Sequence, residues 1–146
     1  MSKVQYKDTV FKVKGYQVPG KQPMFFCVES GNFKIYIDKV GGEAPSPLEY
    51  LLASLAGCIN IVANIVAKEM NVNIENLEVE VEGVFNAEKL YTGKGGRAGY
   101  KEIKAKIRIK SSTPREQLEK LIKAVEERCP VSDNLAERTP VTLVLE

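Results

Sequence analysis

Hydrophobic and polar positions repeat along this chain with two different periods, and each change of period marks a new element. Phe33, Ile35 and Ile37 alternate with Lys34, Tyr36 and Asp38, which is the two-residue period of a strand with one buried face. Met24 to Glu29 is a nearly continuous apolar run and is read as the preceding strand, joined through a tight hairpin at Ser30-Gly31-Asn32. A less regular strand is expected around Tyr6 to Lys14. After a Gly/Pro-rich connector from Val40 to Pro45 the period changes. Ser46, Pro47 and Glu49 form a capping box, in which hydroxyl and carboxylate each satisfy a backbone N–H at a helix start. From Leu51 to Ala67 the helix is apolar almost all round, interrupted only by Ser54, Asn60 and Asn64, which predicts burial on every face.

The two-residue period then returns. Leu77, Val79 and Val81 alternate with Glu78, Glu80 and Glu82, and Ile103, Ala105, Ile107 and Ile109 alternate with Lys104, Lys106, Arg108 and Lys110. An acidic outer face beside a basic one predicts antiparallel pairing of these strands. The connection from Ala87 to Gly99 holds four glycines and is long for a hairpin, as expected of a segment that covers something. Thr113-Pro114-Arg115-Glu116 repeats the capping-box pattern and opens a second helix with Leu118, Leu121, Ile122 and Val125 on its apolar stripe. Glu116/Lys120 and Glu119/Lys123 are spaced for ion pairs on its wet side. Ser132 to Glu137 is expected to form one more helical turn, and Val141, Leu143 and Leu145 a final strand. The resulting order, βββ-α-ββ-α-β, is an α+β fold with antiparallel sheets around a long central apolar helix. At 146 residues it is expected to be a single domain spanning residues 1–146.

Composition narrows the chemistry. A net charge of +2 with no segregated basic run argues against a nucleic-acid partner. The chain has no histidine, which removes Cys–His and Ser–His catalysis and the His-bearing zinc sites. Its three cysteines include no CxxC pair, so neither a structural zinc site nor a disulfide scaffold is expected. The apolar run at 51–67 is short for a bilayer and carries two asparagines, so no membrane association is expected. Met1 to Asp8 has no signal-peptide core, which places the chain in the cytoplasm with its thiols reduced. Any disulfide would then be transient and functional.

Two of those thiols stand out. Cys58 follows Gly57 in the interior of the apolar helix, where a glycine costs about 1 kcal/mol relative to alanine. Close approach of another backbone or a substrate would offset that cost. Cys129 falls on the apolar stripe of the second helix, one turn past Val125 and directly before Pro130. If the fold brings the two together, Cys58 is a nucleophile and Cys129 its resolving partner. The helix dipole disfavours a thiolate at a C-terminus, which suits Cys129 to the second role. The plain alternative for Cys58 is a small buried hydrophobe, and Cys27, inside an apolar strand, is read as structural. An attacking thiol also needs a cation or hydrogen-bond donors, and without histidine that cation is Arg or Lys. Of the five arginines, Arg97, Arg108, Arg115, Arg128 and Arg138, Arg108 is on a wet strand face and Arg115 in a first helical turn, and Arg128 and Arg138 are the candidates. Arg128 is equally explained as a favourable charge in a last helical turn, and Glu49 as the acid of its capping box.

The segment from Ser46 to Cys58, SPLEYLLASLAGC, followed some seventy residues later by Arg128-Cys129-Pro130-Val131-Ser132, resembles the OsmC/Ohr family. The resemblance extends over the strand and helix order of essentially the whole chain. It implies an intertwined homodimer and a thiol peroxidase that reduces organic hydroperoxides in the oxidative stress response. The thiol matching Cys58 would attack the peroxide, and the thiol matching Cys129 would close a disulfide with it. A dithiol donor, such as a lipoylated protein, would then reduce that disulfide. No metal or cofactor is implied. Glu49 and Arg128 are the accompanying site candidates.

Two departures separate this chain from the well-studied peroxidases of the family. Their glutamate directly follows the proline, a place taken here by Leu48, with the acid one residue later as Glu49. One helical step turns a side chain by about 100°, so Glu49 does not simply inherit that role. Those enzymes also hold the thiolate with an N-terminal arginine, whereas no arginine precedes residue 97 here and Lys21 is the available substitute. The departures point to a different branch of the family and motivate two competing readings. One is a non-catalytic dimeric small-molecule-binding protein, and the other is a redox switch of the same fold.

Overall fold

The computed structural model describes residues 3–146, which divide into two compact units, one reaching to Tyr50 and one beginning at Leu51. In the first unit β1 (Lys14–Gln17), β2 (Phe26–Ser30) and β3 (Phe33–Ile37) form an antiparallel sheet in that order. Ser30 pairs with Phe33, so Gly31 and Asn32 make a two-residue turn, and Gly31 adopts φ +57°, a left-handed value that glycine reaches without steric cost. Cys27, at the centre of β2, lies opposite both Tyr16 and Tyr36. The strand expected at 6–14 begins only at Lys14. Before it Val10 and Phe11 lie exposed, and among the described residues no strand pairs with them.

The connector after β3 is organised by a buried carboxylate. Asp38 accepts hydrogen bonds from the backbone N–H groups of Lys39 (2.7 Å) and Glu43 (2.8 Å) and from the Gln22 side-chain amide (2.8 Å). These donors, the Glu43 N–H foremost, hold its carboxyl below the usual range. The chain then enters the capping box at Ser46 and the helix α1 (Pro47–Glu69).

Helix α1 supplies Leu55, Ile59, Val62, Ala63, Val66 and Ala67 to the core of the second unit. It is long and apolar enough to cross a bilayer by length and composition, but these positions pack against other protein. Asn71, in the left-handed region at φ +54°, turns the chain out of the helix while the Val72 N–H caps the Ala67 carbonyl at 2.8 Å. The antiparallel pair β4 (Asn76–Val84) and β5 (Glu102–Lys110) follows. Its register sets Glu78, Glu80 and Glu82 opposite Arg108, Lys106 and Lys104, as the charge alternation predicted. Leu77, Val79, Ile107 and Ile109 pack on the core from the other face. Two helices close the unit, α3 (Arg115–Arg128) and α4 (Pro130–Ala136), after a short α2 (Glu88–Thr92) inside the Gly-rich connection.

Four expectations need correction. The capping box at Thr113 does not form: Pro114 is the N-cap residue, and its carbonyl takes the N–H groups of Gln117 and Leu118. The connection at 87–99 holds a helix of its own, α2. Residues 141–145 form no strand: among the described residues none pairs with them, and Leu143 and Leu145 are exposed. Lastly, α1 is not buried all round, for Gly57, Asn60, Ile61, Asn64 and Ile65 form an exposed stripe along it. One chain supplies core to only part of a helix that is apolar on most faces.

Candidate active site at Cys58 and Cys129

Cys58 sits midway along α1, half-buried and packed against the core cluster that contains Cys129. Cys129 ends α3 and begins α4. Its backbone N–H bonds back to the Val125 carbonyl (2.9 Å), its own carbonyl accepts from Asp133 (3.0 Å), and Pro130 starts the new helix. The Cys58 side chain is near enough to Cys129 to act on its titration, and both are free thiols.

Burial pushes the Cys129 thiol above its ordinary value, and the adjacent Cys58 adds to the rise. The backbone N–H groups of Ser132 and Val131, at the start of α4, pull the other way without cancelling it. The sequence reading assigned the unfavourable setting of Cys129 to the C-terminal dipole of its helix. In the fold this residue also caps the N-terminus of α4, and the cause is loss of water. The outcome is the same: Cys129 keeps its proton at neutral pH.

The accompanying candidates have partners of their own. Both oxygens of Glu69, at the end of α1, bind the Arg128 guanidinium, at 2.7 Å to Nη1 and 3.0 Å to Nη2. This fork lowers the Glu69 carboxyl and raises Arg128, and it ties the last turns of α1 and α3 together one residue before Cys129. Glu49 is engaged in its capping box, where one oxygen accepts from the Ser46 N–H (2.7 Å) and hydroxyl (2.8 Å). These bonds hold it below the usual range. Lys21 is paired with Glu43 at 2.8 Å, its ammonium 5.1 Å from the centre of the Phe25 ring. The cost of Gly57 is not explained within the chain, since a Cβ there would meet nothing within 4 Å.

Three features escaped the sequence reading. Glu69 lies 59 residues from Arg128, and nothing local relates them. The N–H groups facing Cys129 were signalled by Pro130, a residue suited to the first position of a helix. The third is a cavity of about 320 Å³ that Cys129 helps to line, walled by Leu55, Ile59, Ile103 and Val125 together with the polar Glu126 and Ser132. Among the described residues no cluster of His, Cys, Asp or Glu could hold a metal ion.

Two neighbouring thiols of unequal exposure, one of them lining a cavity, are suited to two-step thiol oxidation. A family model described as OsmC-like protein matches residues 40–144, a span that contains both. The chain belongs to the OsmC-like family. Solved structures of similar fold include an OsmC-like protein from Mycoplasma pneumoniae, 24% identical with a TM-score of 0.78 over 90% of this chain and 91% of that one. An organic hydroperoxide resistance protein OsmC from Legionella pneumophila is 18% identical, with a TM-score of 0.64 over 88% and 91% of the two chains. The organic hydroperoxide resistance protein OhrB of Bacillus subtilis is 20% identical, with a TM-score of 0.58 over 89% and 93%. No curated protein matches the sequence. At these identities the likeness is one of fold.

Proposed function

We propose that this member of the family is a cysteine-based peroxidase acting on organic hydroperoxides. The observation that carries the reading is the adjacency of the Cys58 and Cys129 thiols in one core, with only Cys58 partly open. The Cys58 sulfur attacks the outer peroxide oxygen, the O–O bond breaks, and the alkoxide leaves with a proton as the alcohol. Cys58 is then a sulfenic acid. The Cys129 sulfur displaces its hydroxyl, which leaves as water with the Cys129 proton, and a Cys58–Cys129 disulfide forms. A dithiol donor returns both thiols and is itself oxidised to a disulfide. Holding its proton, Cys129 does not compete for peroxide before Cys58 has reacted. The named hydroperoxide resistance proteins of the same fold support this choice.

The protein works, on this reading, as a homodimer in the cytoplasm. The apolar residues Val10, Phe11, Leu143 and Leu145 are exposed, and the exposed stripe of α1 begins at Gly57, where a second copy could approach closely. Light scattering should give twice the 16.2 kDa of one chain, and a mass of one chain would remove the dimer. Turnover of cumene hydroperoxide under dihydrolipoamide tests the activity. Wild type should consume peroxide through many cycles, Cys129→Ser should stop after about one equivalent, and Cys58→Ser should consume none. Equal turnover by wild type and Cys58→Ser would refute the assignment.

A further inference from the structure

The Gly-rich connection between β4 and β5 carries charge that neither the core nor the thiols use. Arg108, Arg115 and Arg128 are paired with carboxylates, and so are Lys110 and Lys120. Lys89, Arg97 and Lys101 form no ion pair among the described residues. All three line one small cleft of about 100 Å³, whose other walls are Asn86, Glu88 and Gly96. Lys89 comes from α2, whereas Arg97 and Lys101 come from the stretch just before β5. The backbone adds donors. The N–H groups of Gly95, Gly96 and Arg97 donate to no protein acceptor among the described residues. Gly95, at φ +94°, is in the left-handed region, the kind of local reversal by which successive N–H groups come to surround an anion. Glu88 is the one carboxylate of the cleft, and it lies against this loop: a Cβ on Gly95 would come to 2.8 Å from its Oε2.

Three cations and a row of unused N–H groups around so small a space suit one compact oxyanion. Glu88 decides which. A carboxylate only accepts hydrogen bonds, so it repels an anion that brings acceptors alone, such as sulfate or a fully ionised phosphate ester. Orthophosphate keeps a hydroxyl at neutral pH. That hydroxyl donates to Glu88 while the remaining oxygens accept from the cations and the loop. We propose that this cleft is an orthophosphate site. Lys89, Arg97 and Lys101 hold the charge, and Glu88 reads the P–OH group. The site is separate from the thiols and does not rest on the peroxidase reading. A merely cationic patch would take every dianion alike, which is where the two accounts part.

Titration calorimetry on the reduced full-length protein at constant ionic strength, with orthophosphate, sulfate and methyl phosphate, tests the site. At about pH 8 all three are mainly dianions, because a phosphate ester loses its second proton near pH 6, and only orthophosphate retains a hydroxyl. Orthophosphate should bind with a Kd of about 1 mM or below, at least about tenfold more tightly than either of the others. The double variant Arg97→Gln/Lys101→Gln should weaken orthophosphate by at least about tenfold. Glu88→Gln, whose amide both donates and accepts, should bring the three anions within about twofold of one another. Glu88, Arg97 and Lys101 are exposed, so these variants leave the core untouched. Lys94→Gln, an exposed charge on the same connection that does not line the cleft, should leave orthophosphate binding within about twofold. No binding of orthophosphate at about 10 mM, a tenfold excess over the expected Kd, would overturn the proposal. So would equal binding of the three dianions by wild type, or a preference for orthophosphate that survives in Glu88→Gln. A double variant that binds like wild type, or an equal loss in Lys94→Gln, would overturn it as well.

Discussion

Cys27 in the sheet of the first unit and Cys129 in the core of the second are both nearly sealed from solvent, at 2% and 1% exposure, and both have a polar group next to the sulfur. They differ in what supplies it. Beside Cys27 it is the phenol of Tyr16, which is raised above the ordinary tyrosine range, first by Cys27 and then by Glu29, to which it donates at 3.0 Å. Beside Cys129 it is a second thiol, on a helix that leaves it partly open. A phenol satisfies a buried sulfur but cannot bond to it, whereas a thiol can do both. Burial alone therefore does not separate a structural cysteine from a reactive one. The neighbour and its access to a small molecule do.

Removing the two kinds of cysteine should give the largest contrast. Under a dithiol donor, Cys58→Ser should lower hydroperoxide consumption by at least about a hundredfold, while Cys27→Ser stays within about twofold of wild type. A comparable loss in both would erase the distinction between the regions. The second contrast is in stability. Leu121→Ala, at a fully buried position in the core cluster that also holds Cys129, should lower the urea-unfolding free energy by about 3 kcal/mol, against about 1 kcal/mol for Cys27→Ala in the sheet. The reverse order would place the dominant core in the wrong unit.

The pattern that made the fold legible is also what limited it. The alternation in β3, β4 and β5 and the capping box at Ser46 depend on neighbours within a few residues, and the structure has them where the periodicity put them. The strands expected at 6–14 and 141–145 need a partner strand, and alternation along one segment does not say whether the same chain supplies it. For the candidate site, the stripe position of Cys129 and the apolar setting of Cys58 pointed both thiols inward. The fork between Glu69 and Arg128 and the cavity wall are made by residues far apart in sequence, where no period connects them.

Two smaller effects sharpen the account of the second unit. Alkylation of Cys129 should reach its half-point above the ordinary thiol value of 9.0, because burial raises it; a half-point below that value would make Cys129 the reactive thiol. Glu69 is held below its ordinary value of 4.5 by Arg128, so its ion pair stabilises the fold above that value and is lost as pH falls through the lowered one. Both groups are about half-exposed, so solvent and salt weaken the pair. Glu69→Gln should accordingly show a small melting deficit at pH 7 that closes below pH 4, and a deficit independent of pH would assign the effect to something other than the charge.

The central claim is that Cys58 and Cys129 act as one redox unit and Cys27 stands outside it. Reduced protein treated with one equivalent of cumene hydroperoxide, then alkylated and digested for peptide mass spectrometry, tests this most directly. The account predicts a single cross-linked peptide pair joining Cys58 to Cys129, with Cys27 recovered as a free thiol. A disulfide that includes Cys27, or Cys58 driven to sulfinic acid while Cys129 remains free, would contradict it.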